Sequence, residues 1–202
     1  MPLSDVSLPK VRSLFETNVF GVMAVTNTFL PLLVTAQGLV VNISSMSDRL
    51  AFPFKGAYAM TKAALSSYSR TLSVELAPHG VRVLNVVTAF VASQLGKRAP
   101  QDPWPEDTLF APMRGTVQRA GGSGRMSAEA YARRVVAEAL RGRGWELGPL
   151  RFFGTQESLI LGSMSTRLWI LSTFLGDGWA RWAMLKMWPF WMLDAAKRKR
   201  TT

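Results

Sequence analysis

The chain has 202 residues, no cysteine and one histidine, so disulfides, thiolate nucleophiles and cysteine metal sites are excluded and no metal role is expected for His79. Apolar residues make up 48%, enough for one domain with a sizeable core and too many for a disordered chain. The net charge of +11 is uneven, +3 over residues 1–90 and +8 over 91–202, and the aromatic and aliphatic content of that basic half favours a membrane surface over nucleic acid as its anionic partner.

Met1 to Lys10 is polar and lacks the apolar core of a signal peptide. Pro9 suits a first helical turn and Ser7 its cap. From Lys10 to Leu33, Val11, Leu14, Phe15, Val22, Phe29, Leu30 and Leu33 follow a helical period, with Asn18 and Gly21 inside it. Gly38 then precedes the short apolar run Leu39-Val40-Val41, which leads into Asn42-Ile43-Ser44-Ser45. After a loop containing Phe52-Pro53-Phe54, an apolar lip, a helix is expected over Lys62–Ala77, opened by Tyr58-Ala59-Met60-Thr61-Lys62. Pro78-His79-Gly80 ends it. Val81, Val83, Leu84, Val86 and Val87 read as a buried parallel strand. Strand, helix, strand in this order implies a right-handed crossover unit of a doubly wound α/β sheet.

Tyr58 and Lys62 are four residues apart and share one helix face. A cation beside a phenol favours phenolate and lowers a pKa of about 10, which suits a general acid or base near neutral pH. Ser45, at the end of the preceding strand, could hold a substrate oxygen beside it.

Ser45, followed thirteen residues later by Tyr-x-x-x-Lys at Tyr58 and Lys62, resembles the short-chain dehydrogenase/reductase family. The resemblance implies a Rossmann-like sheet and reduction of a carbonyl with NADPH, NAD being left open. It implies Tyr58 as proton donor, and Lys62 as the group that tunes Tyr58 and binds the nicotinamide ribose. Ser45 would orient the carbonyl. Asn18 would distort its helix and hold a water in the proton relay. Val91 and Ser93 match in kind a family segment that lies over the nicotinamide. Two positions depart from the pattern: Asp48 stands where the family has Gly, and Thr88-Ala89 where it has Pro-Gly. Thr88-Ala89 and the Phe-Pro-Phe step resemble the branch containing 1-acyldihydroxyacetone-phosphate reductases, which implies a lipid-like substrate.

Pro100–Gly124 is rich in Pro, Gly and charge and reads as a loop or lid. Ser127 caps a helix through Tyr131, Val135, Val136 and Leu140, broken by Gly142-Arg143-Gly144. Residues 1–145 are thus expected to form the catalytic part, and 146–202 an apolar, Trp-rich, basic extension. Leu159–Gly176 is an eighteen-residue apolar stretch with one charge, Arg167, and five of the seven tryptophans follow residue 168. The central Arg disfavours a full span, and the Trp and Lys197–Arg200 fit helices lying in a membrane interface. That placement predicts the endoplasmic reticulum membrane or lipid droplets, on the cytosolic side. The alternative is a substrate-binding helix with a homodimer contact. The Gly-rich strand-turn-helix that cradles a dinucleotide pyrophosphate is absent from the sequence, and Gly121–Gly124 follow no buried strand. Three readings therefore stay open: a lipid-carbonyl reductase, a membrane-associated pseudoenzyme or inactive fragment, and a family enzyme acting on steroids or retinoids.

Overall fold

The protein is described from a computed structural model, which covers residues 1–93, 103–114, 125–141, 146–147, 150–151, 158–174, 176–190 and 192–193. Helix α1 (Leu8–Phe15) runs through a π-helical turn, Glu16–Phe20, into α2 (Gly21–Ala36). Ser7 stands at the cap position, but its hydroxyl caps nothing. Gln37, at φ 48°, turns the chain out of α2, and Gly38 N–H bonds the Leu33 carbonyl at 2.8 Å. Leu8–Ala36 is long and apolar enough to cross a membrane, with mean hydropathy 1.8. Even so, its Val19 and Thr26 are buried and Leu30 and Leu33 pack into the core.

Strand β1 (Leu39–Ser45) leads through a 3-10 turn, Met46–Asp48, and a loop to α3 (Gly56–Leu76). Gly80, at φ 75°, then turns the chain into β2 (Arg82–Thr88). β1 and β2 pair in parallel from Leu39↔Arg82 to Ser45↔Thr88, as the strand-helix-strand order predicts. Helix α4 (Ala128–Ala139) follows, capped by Ser127, whose side chain accepts from Ala130 N–H. β3 (Glu146–Leu147) pairs antiparallel with β4 (Leu150–Arg151). β5 (Ser158–Leu161) then adds to β2 in parallel, so the main sheet has the order β1-β2-β5.

The sheet is apolar on both sides, as buried parallel sheets are. On one face Leu72 and Leu76 of α3 pack with Val81, Val83, Val40 and Leu33. On the other, Leu84, Val86 and Leu161 meet Tyr131 and Val135 of α4. Leu84, Val86 and Val87 are 0% exposed, each contributing about 1.5–3 kcal/mol of burial. A row of polar contacts crosses the α3 face: Asn42 donates to Ser69 at 2.9 Å, and Ser44 meets Ser66 at 2.6 Å.

β1 is an edge strand among the described residues. The Arg82 amide bonds the Gly38 carbonyl at 2.9 Å, so by strand alternation the backbone groups of Leu39, Val41 and Ile43 point away from β2. Beyond them lies a groove between β1 and α2, lined by Asn18, Val22, Val25, Val41, Ile43 and Lys62.

The apolar carboxy-terminal stretch begins inside the sheet. Its first residues, Leu159–Leu161, belong to β5, and the sheet therefore crosses the boundary expected at 145/146. Gly162, at φ 118°, lets the chain leave the sheet; a Cβ there would lie 2.9 Å from the Phe90 nitrogen. Helices α5 (Ser165–Phe174) and α6 (Gly176–Met187) follow. Ala180 and Met184 are buried, Ala180 in a cluster with Met46, Leu50 and Val87. Ile170, Phe174, Trp182, Leu185 and Met187 are exposed. Gly121–Gly124, Gly142–Gly144, Trp145, Trp191 and Lys197–Arg200 lie outside the described residues.

Candidate active site

The carboxyl ends of β1 and β2 and the first turns of α3 bring the predicted groups together. Ser45 is the last residue of β1, and its oxygen accepts the Ser47 N–H at 3.2 Å, which fixes the hydroxyl. Tyr58 lies in the first turn of α3, with the Ser45 side chain close enough to act on its phenol. One turn on, Lys62 Nζ donates to the Ile43 carbonyl at 2.8 Å and stands 5.7 Å from the centroid of the Tyr58 ring, within cation–π range. The i, i+4 spacing thus does what a helix makes it do.

The phenol's electrostatics differ in sign from expectation. Burial pushes the Tyr58 pKa up, the Ser45 side chain pulls it down, and the nearby Tyr131 pushes it up again, with a net rise. Burial alone lowers the Lys62 pKa. Lys62 is committed to a backbone carbonyl, so the lowering expected from it does not decide the outcome.

Asn18 sits in the π turn, the helix distortion expected around it, and its Nδ2 donates to Thr61 Oγ1 at 3.1 Å. Thr61 in turn donates to the Tyr58 carbonyl at 2.8 Å. Asn18 therefore holds the α3 turn that carries Tyr58 and Lys62, and it shares the groove beside β1 with Lys62. Val91 follows β2 and forms a bridge with Met126, while Ala92 N–H bonds the Met126 carbonyl at 2.8 Å. Ser93 is exposed at the end of that segment.

Asp48 is firmly placed. It closes the 3-10 turn after Ser45 and accepts from Ser66 at 2.6 Å, while its other oxygen is buried without a partner. Burial raises its pKa, against the Ser66 bond and the charges of Arg49 and Arg70. The left-handed residue of this loop is Phe54, at φ 66°. Its ring is the hub of the apolar lip, with Trp104, Phe110, Trp188 and Phe190 at centroid distances of 5.0, 5.6, 5.3 and 6.2 Å. The lip beside Tyr58 is thus built from three distant segments.

A family model described as short chain dehydrogenase matches residues 1–104, the stretch that carries Asn18, Ser45, Tyr58, Lys62, Val91 and Ser93. The chain belongs to the short-chain dehydrogenase family. It is 38% identical over 151 residues to the short-chain dehydrogenase ptmH of Penicillium ochrochloron, a match covering 71% of this chain and 54% of that protein. It is 35% identical over 148 residues to the short-chain dehydrogenase RED1 of Pyricularia oryzae, covering 70% and 51%. The chain thus spans about half the length of the curated relatives it matches. Among solved structures, a short-chain dehydrogenase from Streptomyces avermitilis superposes with a TM-score of 0.65 at 28% identity, covering 83% of this chain and 58% of that one. One from Burkholderia cenocepacia J2315, solved with NADP, shares the fold at a TM-score of 0.63 and 21% identity, covering 92% and 63%.

Short-chain dehydrogenases are NAD(P)-dependent oxidoreductases, and the residues present fit one end of such a cofactor. The Lys62 ammonium and the Tyr58 and Ser93 hydroxyls are donors suited to ribose and amide oxygens. Among the described residues no Gly-rich strand-turn-helix is available for the phosphates. Tyr131 is the site residue that sequence reasoning read only as helix periodicity. Its hydroxyl lies 2.6 Å from Thr88 Oγ1, a contact across 43 residues that no local pattern signals.

Proposed function

We propose that the protein reduces a lipid-like carbonyl with NADPH. The observation that carries this reading is the meeting of Ser45, at the end of β1, with Tyr58 and the Lys62 cation over the phenol ring, 5.7 Å from its centroid. A bound nicotinamide supplies the hydride. Burial keeps the Tyr58 phenol protonated, ready to give its proton to the carbonyl oxygen as negative charge develops there. Ser45 donates to the same oxygen and stabilises that charge. Lys62 then stabilises the phenolate left behind, and the Asn18–Thr61 link keeps both groups in register. Lys62, Tyr58, Val91 and Ser93 are the residues that would hold the nicotinamide end.

The lipid-like substrate is supported by the aromatic lip around Phe54. The 1-acyldihydroxyacetone-phosphate branch draws no support from the relatives, which are named only as short-chain dehydrogenases. Residence on the endoplasmic reticulum membrane or lipid droplets is supported by the exposed Ile170, Phe174, Trp182, Leu185 and Met187. A homodimer is supported by Val25, Phe29 and Leu32, which leave an exposed apolar face on α2. A second reading, a non-catalytic binding protein of the same fold, is favoured by Asp48 and Thr88-Ala89 at positions where the family pattern has glycine or Pro-Gly.

The test follows nicotinamide absorbance with a medium-chain 2-alkanone as substrate. Tyr58→Phe should lower turnover by at least about a hundredfold with the fold intact. Retained turnover removes Tyr58 from the mechanism, and a wild-type chain that neither oxidises nor binds NADPH favours the second reading.

A further inference from the structure

We infer that Thr88 and Tyr131 form a second oxygen-binding pair, which selects carbonyl substrates bearing another hydroxyl or carbonyl oxygen on a β- or γ-carbon. The inference rests on the carbonyl-reductase reading and names the substrate class for that site.

Thr88 is the last residue of β2 and stands directly opposite Ser45 in the parallel register. Paired residues of neighbouring strands point to the same face, so the Ser45–Tyr58 and Thr88–Tyr131 pairs stand side by side at the carboxyl end of the sheet. Adjacent strands lie about 4.8 Å apart. That spacing suits two oxygens of one small molecule separated by three or four carbons.

The second pair also has a proton to give. Two hydroxyls carry two O–H protons, and the 2.6 Å bond between Thr88 and Tyr131 uses one, whichever of them donates. No other described group bonds either hydroxyl, and both residues are half-buried. Tyr131 is held in place: its ring packs on Leu84, Val86 and Leu161, and Met126, just before α4, is bonded by Ala92 N–H and itself bonds the Phe90 carbonyl. Tyr131 raises the Tyr58 pKa, which places the two phenols within electrostatic reach of each other. A fixed hydroxyl pair with an unspent donor, one strand from the reacting oxygen, is built to receive a second acceptor.

The test uses Cζ labels on the three tyrosines, assigned with single Phe variants and followed by NMR on the intact chain without cofactor. The probes are 2-butanone, 4-hydroxy-2-butanone and free nicotinamide. The hydroxyketone should shift the Tyr58 and Tyr131 resonances together, and 2-butanone only that of Tyr58. The hydroxyketone should bind roughly three- to tenfold more tightly, the worth of one hydrogen bond. Tyr131→Phe and the near-isosteric Thr88→Val should each erase that difference, while Thr88→Ser keeps it. Equal binding of the two ketones, with Tyr131 unmoved, overturns the second pair and leaves Ser45 and Tyr58 standing. A Tyr131 shift with nicotinamide but not with the hydroxyketone overturns the substrate assignment, because the oxygen received is then the cofactor's amide. If no probe moves any tyrosine, this inference and the carbonyl reading fall together.

Discussion

Ser66→Ala should be among the most damaging single-atom deletions in the chain. The Ser66 hydroxyl donates to Asp48 at 2.6 Å, accepts from Asn85 Nδ2 at 3.2 Å and meets Ser44 at 2.6 Å, and the residue is 1% exposed. Removing it takes a charge-assisted hydrogen bond from a carboxylate whose other oxygen already lacks a partner, about 1.5–3 kcal/mol. The Asn85 amide is stranded as well, for about another 1–3 kcal/mol. Ser44 keeps the Lys62 carbonyl, so its share is small. The total is about 3–5 kcal/mol near neutral pH, a fall in Tm of roughly 10 °C for a chain of this size. The loss should depend on pH. The folded pKa of Asp48 is raised, so its contribution is fully present below the unfolded carboxylate value and is lost as pH rises through the folded one. Without Ser66 that pKa rises further and the loss grows with pH. Melting curves at acid and neutral pH, with Asp48→Asn and the double variant, close the cycle. A cost that is equal at both pH values, or additive with Asp48→Asn, would refute the network.

Three other outcomes follow from the geometry. Reduction needs the protonated phenol, and the Tyr58 pKa lies above its ordinary value, so the rate should hold at neutral pH and fall only on the strongly alkaline side; Tyr131→Phe, which removes one raising influence, should move that limb to lower pH in a pH–rate profile. Phe54→Ala should cost about 2–4 kcal/mol by deleting the ring on which four others pack, and should red-shift the fluorescence of Trp104 and Trp188; unchanged emission would show that the lip does not depend on it. Phe174→Ser with Trp182→Ser should release the chain from anionic vesicles in a sedimentation assay while leaving Tm nearly unchanged, since both side chains are exposed; equal binding would end the membrane reading.

The candidate site of Ser45, Tyr58 and Lys62 was legible because its spacing is local. Tyr58 and Lys62 are one helical turn apart, and Ser45 ends a strand that announces itself by its apolar run. β2 was equally plain, since Val81–Val87 has no other use than burial. β5 was hidden because Leu159-Ile160-Leu161 merges with the apolar helix after it, and only Gly162 marks the break. Trp188 and Phe190 looked like interfacial anchors because nothing in their neighbourhood names Phe54, more than a hundred residues away, as their partner. The Thr88–Tyr131 contact depends on α4 packing against the sheet, which composition does not encode. The environment of the phenol also ran against the pairwise rule, because burial outweighs a cation that is bound to Ile43.

The free side of β1 has a bearing on how the protein behaves at high concentration. Among the described residues that side of β1 has no strand partner, and with Val41 and Ile43 exposed beside it, it is a template for extended segments of other chains. Lys62 blunts it by capping the Ile43 carbonyl with its ammonium. The side chain proposed to serve the chemistry is therefore also a gatekeeper against sheet growth. Any ligand that draws Lys62 away uncovers that carbonyl, and Lys62→Met would leave it bare. Light scattering and a fibril-sensitive dye would then report on the state of Lys62: colloidal stability and occupancy of the candidate site share one ammonium group.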